Sequence, residues 1–334
     1  MHAMVLAEQG PIEQSPLRWT ERADPEPGEA EVRVRVRCCA ICRTDLHVIE
    51  GDLPAHRLPI IPGHQIVGVV DRVGPGCTRL EVGERVGIAW LRGTCGRCGW
   101  CQQERENLCP ETRFTGYHEH GGFADYAVVP EAFAYLIPEG FTDVHAAPLL
   151  CAGIIGYRAL RQAAPPAGAR LALYGFGSSA HVVMQLALHR GYEVYVVTRG
   201  EAHRELARQM GAAWVGASAD QMPVRADSAI IFAPAGELVP PALAALDRGG
   251  TLALAGIYMS DIPRLDYQQH LFYERQVRSV TCNTRADGRS LLAEAAEVPI
   301  RPHVTTYPLS QANEALQDLK ADRLSGTGVL SVSG

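Results

Sequence analysis

The sequence has 334 residues, 47% hydrophobic and 20% charged, which is enough apolar material for two domain cores. A net charge of −6 offers no electrostatic footprint for nucleic acid or an anionic membrane, because binding a polyanion takes clustered Lys and Arg. No stretch is apolar and uncharged for the ~18–20 residues a membrane span needs, and Met1–Gly10 has no basic start leading into an apolar run; the expectation is a soluble, unexported, cytoplasmic protein.

In chain order, Glu31 to Gly87 is written in short β-rich runs broken by glycine, such as Val32-Arg33-Val34-Arg35-Val36 and Ile66-Val67-Gly68-Val69-Val70. That texture predicts a twisted antiparallel barrel. Around Pro165-Pro166-Ala167-Gly168 it changes to strands alternating with helices. Leu171–Gly175, Val194–Thr198, Ala229–Ala233 and Thr251–Gly256 are predicted strands, and His181–Arg190 and Ala202–Gly211 predicted helices. Such alternation implies a doubly wound parallel sheet with helices on both faces. Ser310 to Leu330 closes the chain with a helix over Ala312–Lys320 and a short strand, and no internal repeat or low-complexity tract interrupts the whole.

Ten cysteines in a chain of this length, with no signal peptide, are better metal ligands than disulfide staples. Cys95, Cys98, Cys101 and Cys109 are spaced C-x2-C-x2-C-x7-C. Four thiolates in one loop can close a tetrahedron around Zn²⁺ with no open position, which is a structural site. A redox C-x-x-C pair would need only two of them, and a disulfide knot suits a small secreted domain.

Cys42, His64 and Cys151 are far apart in sequence, and a lone buried Cys or His usually just packs in the core. Their surroundings change that reading: Cys42-Arg43-Thr44-Asp45-Leu46-His47, then Pro62-Gly63-His64-Gln65, then the four-cysteine loop, then Leu150-Cys151-Ala152-Gly153. In this order, with Val82-Gly83-Glu84-Arg85-Val86-Gly87 and Asn313-Glu314-Ala315-Leu316, the chain resembles the zinc-containing medium-chain alcohol dehydrogenases over essentially its whole length.

The resemblance implies a GroES-like antiparallel β-barrel catalytic domain over residues 1–151 and 287–334, with a structural-zinc lobe over 92–112. It also implies a doubly wound Rossmann cofactor domain over 152–286. It implies two zinc ions per chain, the catalytic one held by Cys42, His64 and Cys151 with a vacancy for water or substrate oxygen. That zinc would act as a Lewis acid in reversible hydride transfer between alcohol and aldehyde. Asp45 then orients the ligand histidine, Thr44 and His47 pass the alcohol proton through the cofactor ribose towards solvent, and Arg43 contacts the pyrophosphate. Two departures stand out. Gln65 replaces the family's glutamate after the ligand histidine, and Thr327 in Gly326-Thr327-Gly328-Val329-Leu330 replaces an arginine.

Leu171-Ala172-Leu173-Tyr174 runs into Gly175-Phe176-Gly177-Ser178-Ser179-Ala180, a G-x-G-x-x-A turn between a predicted strand and helix. The first glycine permits the turn, the second lets a pyrophosphate approach, and the small last residue allows close helix packing. After the next strand, Thr198-Arg199-Gly200 provides no carboxylate for an adenosine ribose. A hydroxyl and a guanidinium, with His203 and Arg204 one helical turn on, suit a 2′-phosphate, so NADP is expected over NAD. Gly256 and Ile257, after a later strand, are further candidate cofactor contacts.

Trp90 resembles the family's aromatic wall of the substrate pocket, with Leu91 and Ile257 as added apolar surface, which favours primary alcohols and aldehydes, including allylic or aromatic ones. Cys38, Cys39, Cys77 and Cys282 have no metal-like spacing and read as structural. A polyol or sugar dehydrogenase would need more polar pocket residues. A catalytically silent zinc-binding regulator would show a damaged site, whereas every ligand and relay position here is filled. A homodimer or homotetramer is expected by the same resemblance.

Overall fold

The computed structural model describes residues 1–298, 300–324 and 326–332. It divides into two compact units, Met1–Cys151 with Cys282–Ala296 and Pro302–Gly334, and Ala152–Thr281 with Glu297–Arg301. The chain re-enters the first unit at Cys282, five residues before the expected boundary at 287. Local bonding explains this: Asp287 accepts from the backbone N–H and hydroxyl of Thr284 at 2.9 and 2.8 Å, and Glu106 of the first unit accepts from the Arg285 N–H at 3.0 Å.

The first unit is built on a seven-stranded sheet. Its order is Val304–Pro308, Thr327–Ser331, Glu31–Ala40, Gln65–Val73, Arg85–Ile88 and Ala134–Leu136, with Tyr126–Pro130 also paired to Glu31–Ala40. Only the first pair is parallel. The valine alternation of Val32, Val34 and Val36 points one face inward, where these side chains join Ile41, Ile49, Ile60, Ile61, Ile66 and Phe123 in one core. Two register shifts between Glu31–Ala40 and Gln65–Val73 mark irregularities of the kind that bend a strand.

The second unit carries six parallel strands in the order Trp214–Gly216, Glu193–Val197, Arg170–Tyr174, Ala226–Ile231, Leu246–Leu254 and Gln276–Ser279. The apolar runs of the four inner strands are largely buried, as expected for strands covered on both faces. Helices Ser178–His189 and Glu201–Gln209 follow the first two strands in sequence. The order reverses beside Arg170–Tyr174, and a ligand of such a sheet binds at the carboxyl ends of the strands flanking that reversal.

Candidate metal and dinucleotide sites

In the first unit, the site starts from a helix cap. Cys42 is extended (φ −148°, ψ −179°) and caps helix Arg43–Glu50, its sulfur accepting from the Thr44 N–H at 3.4 Å. Asp45 returns the bond, Oδ2 accepting from the Cys42 N–H at 2.8 Å, so one carboxylate locks the thiol to the first helical turn. The other oxygen, Oδ1, lies 3.0 Å from His64 Nδ1. That contact turns Nε2 towards Cys42 Sγ, 3.4 Å away. Cys151, at the end of the short turn Ala147–Leu150, completes the group, and one donor atom from each of the three lies within 4.8 Å of the others.

The electrostatics fit a cation. A hydrogen bond from Cys151 holds the Cys42 thiol well below its ordinary range, against burial and with help from His64. Cys151 is pushed up in turn by that shared proton and by burial. Burial alone would lower His64, but Asp45 and Cys42 outweigh it and raise the imidazole to about 10. Two sulfurs and a ring nitrogen thus share negative charge and protons that a soft divalent ion would displace, and the set is the Cys2His arrangement of an open zinc site. Gln65, fully buried beside His64 in the sequence, has neither amide atom hydrogen-bonded.

Thr44 is buried in the first turn and His47 faces one turn on, its Nδ1 2.8 Å from Asp52 Oδ2; Arg43 is exposed. Asp52 was not legible as a partner of His47, since a His and an Asp five residues apart across a glycine carry no recognised signal. Trp90 packs edge-on to His64, centroids 5.0 Å apart at 72°, and stacks on Phe114 at 4.8 Å and Tyr117 at 5.9 Å. The ring cluster beside His64 is therefore broader than one residue. Leu91 is wholly buried in the core, so it offers no pocket surface, because its strand Leu91–Gly93 turns it inward.

The four-cysteine loop also converges, with donor atoms of Cys95, Cys98, Cys101 and Cys109 within 4.8 Å of one another. Backbone N–H groups of Arg97 and Cys98 bring the Cys95 thiol down to about 7. Cys98 and Cys101 sulfurs lie 3.6 Å apart, and Cys109 and Cys95 sulfurs 3.5 Å apart. Four sulfurs this close, with no disulfide among them, suit a closed tetrahedral zinc. Cys38, Cys39, Cys77 and Cys282 are likewise outside any disulfide; burial pushes Cys38 up to about 12, which keeps it inert.

In the second unit, Gly175 turns the chain out of strand Arg170–Tyr174 with φ +82°, a conformation other residues resist. Gly177 caps helix Ser178–His189, and a Cβ built there meets nothing within 4 Å. The helix N-terminus thus opens onto a space that a pyrophosphate can fill, with the Ser178 and Ser179 N–H groups in its first turn. Phe176 is 2% exposed, so its side chain packs inward and only its backbone faces that space. Thr198 is buried at the next strand end and Arg199 is exposed. Arg204 is committed elsewhere: its Nη1 donates to the Arg199 carbonyl at 2.9 Å and its guanidinium pairs with Glu201. It buttresses the turn. Gly256 and the exposed Ile257 follow strand Leu246–Leu254, while Thr327 is buried in its own strand.

Comparison with known proteins points the same way. Residues 28–139 match the alcohol dehydrogenase GroES-like domain, and residues 180–297 match the zinc-binding dehydrogenase domain. The chain is 52% identical over 337 residues to the probable alcohol dehydrogenase AdhA of Mycobacterium tuberculosis, covering 99% of this chain and 97% of that protein. An alcohol dehydrogenase of Geobacillus stearothermophilus is 34% identical over 331 residues, covering 95% of this chain and 96% of the relative. Among solved structures, a cinnamyl alcohol dehydrogenase from Sorghum bicolor superimposes with a TM-score of 0.90 at 27% identity, covering 99% of this chain and 97% of that one.

Proposed function

Because this chain belongs to the zinc-containing medium-chain alcohol dehydrogenase family, we propose that it interconverts primary alcohols and aldehydes with NADP as hydride carrier, using one catalytic and one structural zinc per chain. The observation that carries the reading is the convergence of Cys42, His64 and Cys151, three residues scattered over 110 positions of sequence, on one point of the first unit. Zinc bound there supplies Lewis-acid polarisation of the substrate oxygen. Asp45 fixes the tautomer and aim of His64 and holds the Cys42 backbone, so the donors are set before metal or substrate arrives. The Thr44 hydroxyl, on the same first turn, receives the proton that the alcohol loses, and His47 delivers it to water. Trp90, with Phe114 and Tyr117, forms a flat apolar wall suited to unhindered allylic or aromatic substrates.

The cofactor preference rests on strand end Thr198-Arg199, which itself carries no carboxylate and where Arg199 reaches solvent. Gly175, Gly177, Ser178 and Ser179 hold the pyrophosphate, with Gly256 and Ile257 beside the nicotinamide half. The exposed edge strand Gln276–Ser279, with exposed Phe272, Tyr273 and Val277, favours a homodimer or homotetramer. No helix of the described residues is long and apolar enough to cross a membrane. Rates with benzyl, allyl and short aliphatic alcohols and with the matching aldehydes, measured with each cofactor at equal subsaturating concentration, test the proposal. Faster turnover with NADP and unbranched or aromatic primary substrates is expected; a strong NAD preference or polyol selectivity would overturn it.

A further inference from the structure

Resting on the proton-relay reading of Thr44 and His47, we propose that Asp52 is a positioning residue that holds His47 in the tautomer able to take up the outgoing proton. Helix Arg43–Glu50 ends at Gly51, whose φ of 91° turns the chain back so that Asp52 Oδ2 comes to 2.8 Å from His47 Nδ1. An ionised carboxylate can only accept, so Nδ1 carries the hydrogen and the lone pair resides on Nε2. A neutral imidazole left to itself prefers the opposite tautomer, with hydrogen on Nε2, which would offer the relay a donor where it needs an acceptor.

The turn bearing Asp52 is braced on three sides. The Leu53 N–H donates to the His47 carbonyl at 3.0 Å. The Gln9 amide donates to the carbonyls of Val48 at 2.7 Å and Leu53 at 2.9 Å, and its oxygen accepts from the Ala55 N–H at 3.3 Å. The Tyr117 hydroxyl donates to the Pro54 carbonyl at 2.9 Å. The aim of Asp52 is therefore set by the backbone and does not have to be found during turnover. The His47 side chain is 17% exposed and that of Asp52 43%, so solvent screens the charge and orientation is the carboxylate's main contribution.

The step balances. The relayed proton leaves an oxygen, breaking an O–H bond, and forms an N–H bond with the Nε2 lone pair. The resulting imidazolium loses that proton to bulk water, and the Asp52 carboxylate keeps the Nδ1 hydrogen in place for the next turnover.

Asp52→Leu and Asp52→Glu in the zinc-loaded enzyme test this, read by the first-turnover rate of nicotinamide reduction at saturating alcohol and by ¹⁵N NMR of labelled histidine, with His47 assigned by its loss in His47→Gln. Asp52→Leu is expected to slow the first turnover roughly tenfold with the alcohol KM within about twofold, and to move the His47 hydrogen to Nε2; Asp52→Glu restores both. A wild-type rate or an unmoved tautomer in Asp52→Leu, with His47→Gln still slow, would overturn the role of Asp52 alone. A His47→Gln enzyme as fast as wild type would overturn the relay itself.

Discussion

A buried amide with no partner is a cost that a fold carries only for a reason, and Gln65 bears two such atoms next to His64. Replacing it by leucine, similar in volume and apolar, should raise the stability of the metal-free protein by about 1 kcal/mol in urea unfolding while lowering kcat. Equal or lower stability would show that the amide is satisfied. At this scale the sequence is readable where chemistry restricts the residue type: a thiolate, an imidazole or a glycine at a special φ announces itself through its neighbours. Asp52 and Gln9 escape because an aspartate or glutamine after a turn is commonplace, and only the folded turn brings them to His47 and its helix.

The dinucleotide turn separates two kinds of glycine. Gly175→Ala forces a side chain into φ +82° with the Ala233 nitrogen 3.1 Å from the new Cβ, and should cost about 1–2 kcal/mol of stability. A Cβ added at Gly177 meets no protein atom within 4 Å at an ordinary φ of −99°, so for Gly177→Val stability should hold to about 0.5 kcal/mol. Its Cβ and methyls would occupy the pyrophosphate space, and the KM for dinucleotide should rise at least tenfold in steady-state assays. A destabilised Gly177→Val with unchanged KM would refute that division.

Elsewhere in the same sheet, Asp227 ties two strands together. It accepts from the Arg170 backbone N–H at 2.8 Å and from its guanidinium at 3.0 and 2.6 Å. The Arg170 bond holds the Asp227 carboxyl below its ordinary value, against partial burial. A lowered folded pKa gives stability that is complete above the unfolded carboxylate range near 4 and is lost as pH falls through the folded value. Asp227→Asn should therefore cost about 1 kcal/mol at pH 7, a cost that shrinks as pH falls through the folded value, in unfolding curves recorded across the acid range. Strands and helices of this unit were legible because alternating apolar runs have room for nothing else. Helix Arg43–Glu50 was not, since its start is a cysteine cap, a residue that rarely signals one, and its eight residues are too few to show a period.

Over the whole molecule, the pattern read from sequence survives because each unit is locally consistent: β alternation in one, strand-helix alternation in the other. Their junctions were less legible. The return at Cys282 depends on Glu106, between Cys101 and Cys109, reaching Arg285 across 179 positions, a part-buried contact no local pattern encodes. The same contact anchors the four-cysteine lobe to helix Arg285–Glu297, so chelation of that lobe should be felt beyond it, as earlier loss of far-UV CD signal on heating with a zinc chelator.

On the proposed function the chain encodes two separate metal centres, one open and one closed. Zinc content of purified wild type and Cys42→Ser, measured on the same samples as alcohol oxidation and far-UV CD, tests it most directly. Two zinc ions per wild-type chain are expected, against one in a folded, inactive Cys42→Ser. Two retained ions in an active variant, or an unfolded variant with none, would contradict it.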